Sequence, residues 1–142
     1  MKFFIIFSKR TLAVILAVMI VLTLLIGQIV SADLNRIDGS TNAKRVSYLK
    51  GLGLNVDDSN TTHKQIIIPE KFNDVYTAYN ALQKKAGFDL SDYKGKTATV
   101  YTYSLDSEHD VHIIVNNNCI IGGDVAALSI DGEMRPLMQN KN

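Results

Sequence analysis

Residues 96–130, KTATVYTYSLDSEHDVHIIVNNNCIIGGDVAALSI, decide the fold class. They hold three β-rich runs, Lys96–Leu105, Val111–Asn116 and Cys119–Ile130. Branched and aromatic residues suit the half-buried surface of a pleated sheet. Asn116-Asn117-Asn118 predicts a tight turn, because Asn tolerates left-handed backbone. Gly122-Gly123 inside the third run predicts a bulge or a close backbone approach. Asp131-Gly132 marks another turn. The runs read as an antiparallel meander.

Two helices precede the meander. In the first, Thr41 or Asn42 caps the start, Val46, Leu49 and Leu52 with Tyr48 form an apolar stripe, and Gly53 closes the end. Leu54-Asn55-Val56 alternates like a short strand, Asp57 to His63 reads as a polar loop, and Lys64 to Ile68 as a strand. The second helix is expected to start at Pro69, with Glu70 and Asp74 at its positive end. Phe72, Val75, Tyr76, Tyr79, Leu82 and Ala86 form its stripe, Lys84 and Lys85 sit at its negative end, and Gly87 stops it. Asp89 to Gly95 reads as a turn region.

The N-terminus reads differently. Thr11 to Val30 are twenty uncharged, mostly apolar residues, about the length that crosses a bilayer core of about 30 Å. Lys2, Lys9 and Arg10 precede them and no acidic residue appears before Asp33. That asymmetry predicts a single-pass cell-membrane protein with a cytoplasmic N-terminus, the lipid bilayer as partner of residues 11–30, and the remainder outside. The alternative is a signal peptide cut after Ala32, leaving a secreted soluble binder or inhibitor. The expected organisation is a cytoplasmic segment (1–10), a transmembrane helix or signal peptide (11–30), a tether (31–41), a small domain (42–136) and a tail (137–142). The fold class is therefore α+β: an N-terminal transmembrane helix, then two helices packed on a small mainly antiparallel sheet.

Composition narrows the function classes. The chain has 142 residues, 20% of them charged, and a single Cys, so no intrachain disulfide forms. Three of its 15 basic residues precede the apolar run, leaving 12 against 14 acidic ones in the rest. That balance opposes phosphate binding, so no nucleic-acid partner is expected, although Lys44, Arg45 and Lys50 share a helix region.

Each chemical motif meets a structural reading. His109 and His112 bracket Asp110, but residues three apart on a strand face opposite ways, so no metal site is assigned. Cys119 beside Ile120 and Ile121 reads as a small buried hydrophobe. A Cys119–His112–Asp110 arrangement across the hairpin matches no nucleophile pattern, and there is no Gly-x-Ser-x-Gly elbow. Gly51-Leu52-Gly53 is a helix end rather than a phosphate loop. No catalytic residue and no cofactor are assigned. Among Tyr93, Tyr101 and Tyr103, the last two share one strand face. That face is either an open platform or packs against the second helix, whose Tyr76 and Tyr79 need partners. The candidate binding face is Tyr101 and Tyr103 with Gly122, Gly123 and Asp124. The expected function is a non-enzymatic module binding an envelope protein or cell-wall component. The alternative is an envelope hydrolase using Asp110, His112, Asp124 or Cys119.

These residues, taken in order, resemble a known family. They are Asn42-Ala43-Lys44-Arg45-Val46, Tyr48-Leu49-Lys50, Leu52-Gly53, Ile68-Pro69-Glu70, Phe72, Val75-Tyr76, Tyr79-Asn80, Leu82-Gln83, Gly87-Phe88-Asp89-Leu90, Tyr93, Gly95-Lys96, Tyr101-Thr102-Tyr103, Ile121-Gly122-Gly123-Asp124-Val125, Asp131-Gly132 and Met134. The series is similar to the bacterial "domain of unknown function 4830" family over about residues 42–134. The resemblance implies a small extracytoplasmic domain behind one N-terminal span, and carries over no activity, ligand or site residue. Two departures stand out. Leu54 replaces the Trp of the family pattern, and Ser104 to Asp110 is shorter than the family's Pro-containing segment. The bacterial setting also sets aside the Asn60-Thr61-Thr62 glycosylation sequon.

Overall fold

The structure is a computed structural model and describes residues 9–34 and 36–138. The chain divides into two units, Met1–Arg36 and Ile37–Asn142. The first holds helix α1, Lys9–Leu34. This corrects the expected transmembrane helix: among the described residues no helix is long and apolar enough to cross a membrane. Residues 1–8 of the expected cytoplasmic segment and 139–142 of the expected tail lie outside the described residues.

The second unit is the α+β domain. Its elements are β1 (Ile37–Asp38), α2 (Asn42–Gly51), β2 (Asp57–Ile67), α3 (Asp74–Lys85), a 3-10 turn (Leu90–Tyr93), β3 (Thr97–Ser104), β4 (His109–Asn116), β5 (Cys119–Ala127) and β6 (Met134–Pro136). The sheet runs β1-β5-β4-β3-β2, with β6 also on β5, and every pairing is antiparallel. Within the segment expected as a tether, Ile37 and Asp38 instead pair with Ile120 and Cys119.

Local chemistry explains the elements. Thr41 caps α2 by accepting from the Lys44 N–H. Both domain helices stop in the same way. Gly53 and Gly87 take positive φ (82° and 85°), and the N–H groups around them return to the last carbonyls. Leu54 N–H bonds Leu49 O, and Phe88 N–H bonds Gln83 O. Helix α3 starts later than expected, at Asp74. Asn73 accepts from the Tyr76 N–H, while the Ile68 N–H and C=O are tied to Lys96 and Gly95. Those bonds hold Pro69 to Phe72 off the helix. The stripe is also rotated: Val75 is exposed, while Asn80 and Gln83 are buried. Asn80 accepts from the Leu90 N–H at 2.8 Å and donates to Asp89 at 2.9 Å, so it fastens the 3-10 turn.

Segment 57–63, expected as a loop, is the first half of β2. It is an edge strand, exposed along most of its length, so no alternation marks it. Leu54 to Val56, expected as a strand, only leads out of the α2 cap. The hairpin Asn117-Asn118 has φ of 47° and 64°, as two-residue hairpin turns require.

Two apolar clusters cover the two faces of the sheet. Tyr103, Val111, Ile113, Val115, Ile120 and Val125 meet Leu49 and Leu54 on the α2 face, with Leu137. Ala98, Ile114 and Ile121 meet Ile68 and Leu90 on the other, with Tyr76 and Tyr79 of α3 against them. Between them β5 carries a bulge: Val115 faces Ile120 but Ile114 faces Gly122. A Cβ at Gly123 would stand 2.3 Å from His112 O and 2.4 Å from Leu137 Cδ1, whereas one at Gly51 meets nothing within 4 Å. Gly123→Ala should therefore lower unfolding free energy by about 3 kcal/mol, since backbone must move to admit the methyl. Gly51→Ala, at the exposed end of α2, should raise it by up to about 1 kcal/mol. Urea unfolding of both variants checks the pair, and equal effects would refute the close-approach account.

Candidate functional site

A buried polar cluster lies on the α3 face of the sheet. Strand register sets Asp124 of β5 opposite His112 of β4, and His112 opposite Thr102 of β3. His112 lies between Val111 and Ile113, which face α2, so alternation turns it toward α3. Its Nδ1 is 2.9 Å from Asp124 Oδ1. The Tyr79 hydroxyl of α3 donates to Asp124 Oδ2 at 2.7 Å. Asp124 is 2% exposed, so both of its oxygens are satisfied within a nearly dry site. Just below, Gln83 Oε1 accepts from the Gly123 N–H at 2.8 Å.

Electrostatics follow from this geometry. The bond to Asp124 raises the pKa of His112 above its ordinary value, against the opposing effect of burial. Burial, then the Asp124 charge, pushes the Tyr79 phenol far above its usual range, so it stays a donor. A neutral His112 facing a carboxylate carries its proton on Nδ1, which leaves Nε2 as an acceptor. The His112 side chain is 28% exposed, so this nitrogen sits at the margin of solvent. Among the described residues no hydrogen bond joins Thr102 to His112.

The structure separates the expected binding face. Tyr101 and Tyr103 lie on the α2 face, opposite Asp124 and Gly122. They pack against α2, not against α3, which carries Tyr76 and Tyr79. Tyr103 is fully buried, accepts from Arg45 Nε at 2.8 Å and donates to Asn42 Oδ1 at 2.9 Å. Burial raises the Tyr103 pKa, and Arg45 partly offsets this. The Arg45 guanidinium stands 3.5 Å from the Tyr101 ring centroid and donates to Gly39 O at 2.8 Å. Arg45 was unforeseen: on a helix whose charged residues are all basic it looks like any surface Arg, yet it is 5% exposed.

Of the hydrolase candidates, only His112 and Asp124 converge. Asp110 lies two residues before His112 on the same face of β4. Cys119 faces Asn116 at the hairpin end, four residues or about 13 Å along β4 from His112. His109 pairs with Asp106 at 2.9 Å, apart from His112. Backbone and His109 contacts hold the Asp106 carboxyl below its usual range. Among the described residues no group of three His, Cys, Asp or Glu is placed to hold a metal.

A groove opens at the end of the sheet that carries the β3–β4 turn. It encloses about 500 Å³ between the α2 cap (Gly53, Leu54, Asn55), the turn (Leu105, Asp106), Val125, and Arg135, Pro136 and Met138. Val125 and Leu54 belong to the core, so the groove reaches it. Arg135 is exposed, and among the described residues its side chain has no hydrogen-bond or ion-pair partner.

This arrangement runs through the sequence that a family model recognises: the one described as "Domain of unknown function (DUF4830)" matches residues 48–125. The chain belongs to this family. The DUF4830 match takes in the His112–Asp124 pair and most of the groove, while Arg135, Pro136 and Met138 follow it. No curated protein and no solved structure matches the chain.

The network of this DUF4830 domain predicts a pH response. The folded-state pKa of His112 is raised, so its stabilisation is complete below its unfolded value near 6.5 and is lost as pH rises through the folded value. Urea midpoints of the wild type should fall from pH 6 to pH 8.5, and His112→Gln should flatten that slope. Tyr79→Phe should cost about 1–3 kcal/mol, because it strands a buried Asp124 oxygen without a donor. A midpoint for Tyr79→Phe equal to the wild type's would show that the bond is not made in solution.

Proposed function

We propose that this DUF4830 chain is a non-enzymatic binding module acting outside the cytoplasm on a protein or envelope component. The groove carries this reading. It combines an apolar floor with a few polar groups in a volume within the about 300–1,000 Å³ usual for ligand sites. Lys2, Lys9 and Arg10 ahead of the apolar run support export. The saturation of Asp124 by Tyr79 and His112 supports a structural rather than catalytic role for that pair.

One observation favours a second reading, an envelope hydrolase: Asp124 orients His112 so that Nε2 is left as an acceptor. The two readings separate by experiment. A photo-crosslinking residue at Asn55, on the groove, in the full chain in its own cells should give discrete adducts. The same residue at Ala81, on the exposed side of α3, should give none. His112→Asn should leave the adducts unchanged. Equal labelling at both positions, or none at Asn55, would overturn the binding reading.

A further inference from the structure

We propose that the groove binds the free C-terminal end of a short apolar peptide, with the carboxylate on Arg135 and the side chains on Leu54, Val125 and Pro136. This rests on the binding-module reading and names its ligand class. Three observations support it.

The first is the unpaired cation. Arg135 stands beside an apolar floor and has no side-chain partner among the described residues. A guanidinium offers a planar fork that a carboxylate meets in bidentate fashion, with more geometric selectivity than an ammonium gives. The second is the charge across the groove. Asp106 is held ionised by the Glu108 N–H and by His109. A fixed carboxylate there repels polyanions such as phosphates and attracts a cationic group. A ligand carrying both charges, a peptide with a free carboxylate and a free amine, complements the pair. The third is the lining. Leu54 and Val125 are 9% and 3% exposed and are held by the core, so the floor is fixed before any ligand arrives. Pre-formed apolar contact lowers the ordering cost of binding.

Chemical-shift mapping of the full chain, titrated with the dipeptide Leu-Leu, tests this. Saturable shifts are expected at the amides of Leu54, Leu105, Asp106 and Val125. Leu-Leu amide, which lacks the carboxylate, should bind about tenfold more weakly, and Arg135→Gln should lose as much for Leu-Leu while leaving the amide's affinity unchanged. Asp106→Asn, which keeps the acceptor for the Glu108 N–H, should weaken Leu-Leu but not N-acetyl-Leu-Leu. A longer peptide ending in Leu-Leu that binds as well as the dipeptide assigns the site to a protein terminus, and a dipeptide that binds better assigns it to free peptides.

Equal affinity for Leu-Leu, its amide and its acetylated form at the groove overturns the proposal while the binding-module reading stands. Absence of shifts at the groove up to about 10 mM, a limit beyond any useful affinity, also overturns it. Adducts at Asn55 then decide separately whether the module binds something else there.

Discussion

One extra residue in β5 sets the chemistry of the whole domain. The β4–β5 hairpin pairs Asn116 with Cys119 and Val115 with Ile120, and without interruption Ile114 would face Ile121. Instead Ile114 faces Gly122, and every later residue of β5 is displaced by one. Side chains alternate along a strand, so a slip of one exchanges the two faces. The slip sends Asp124 to the α3 face, opposite His112 and under Tyr79, and sends Val125 to the α2 core. Glycine at 122 and 123 is what permits it. A Cβ at Gly122 would lie 2.8 Å from Gln83 Oε1, and that oxygen accepts the Gly123 N–H. Helix α3 is therefore fastened to the sheet through backbone that a side chain would shield.

The two faces then resemble each other in logic. On each, one buried charge is matched by groups from distant segments: Asp124 by Tyr79 and His112, Arg45 by Tyr103, Gly39 and the Tyr101 ring. Buried charges are costly unless so matched, and a matched set admits few alternative packings. Both sets tie a helix to strands far from it in sequence. They orient the elements around the two apolar clusters.

This explains how much was legible. Helix α2, its cap at Thr41 or Asn42, the Gly53 and Gly87 stops, the Asn turn and a bulge or close approach at Gly122-Gly123 each follow from local backbone chemistry, and each was readable. The helical face of α3 was not, because its inward positions are amides. Asn80 and Gln83 are there for hydrogen bonds that depend on tertiary neighbours, and Val75, apolar but exposed, pointed the wrong way. Residues 57–63 hid their strand for a related reason: an edge strand exposed on both sides needs no apolar alternation. The pairing of Tyr101 and Tyr103 with Asp124 as one binding surface failed on the bulge. Counting along β5 without the slip puts Asp124 on the tyrosine face, and with it on the other. The partnership of His112 and Asp124 was within reach, since a two-residue turn plus one bulged residue pairs 112 with 124. Arg45 and Arg135 carried no signal at all, one being buried and the other exposed for reasons that only the fold decides.

The same geometry argues where the domain meets other molecules. Both sheet faces are covered, by α2 on one and by α3 with the 3-10 turn on the other. The edges are blunted. On the β2 side, Asp57 pairs with Ser104 but Thr62 with Thr102, so the residues between are extra, and Thr61 turns back to bond Asp58 O. Lys64 follows on the regular part, and irregular, charged edges resist the addition of another strand. On the opposite side β1 and β6 are two and three residues long, too short to template a partner. What remains is the end of the sheet, where helix cap, turn and β6 diverge and leave core side chains within reach of solvent. A fold that closes its faces and edges with fixed hydrogen bonds holds the walls of this groove rigid, and rigidity at an opening favours selection of a ligand by shape and charge over adaptation to many.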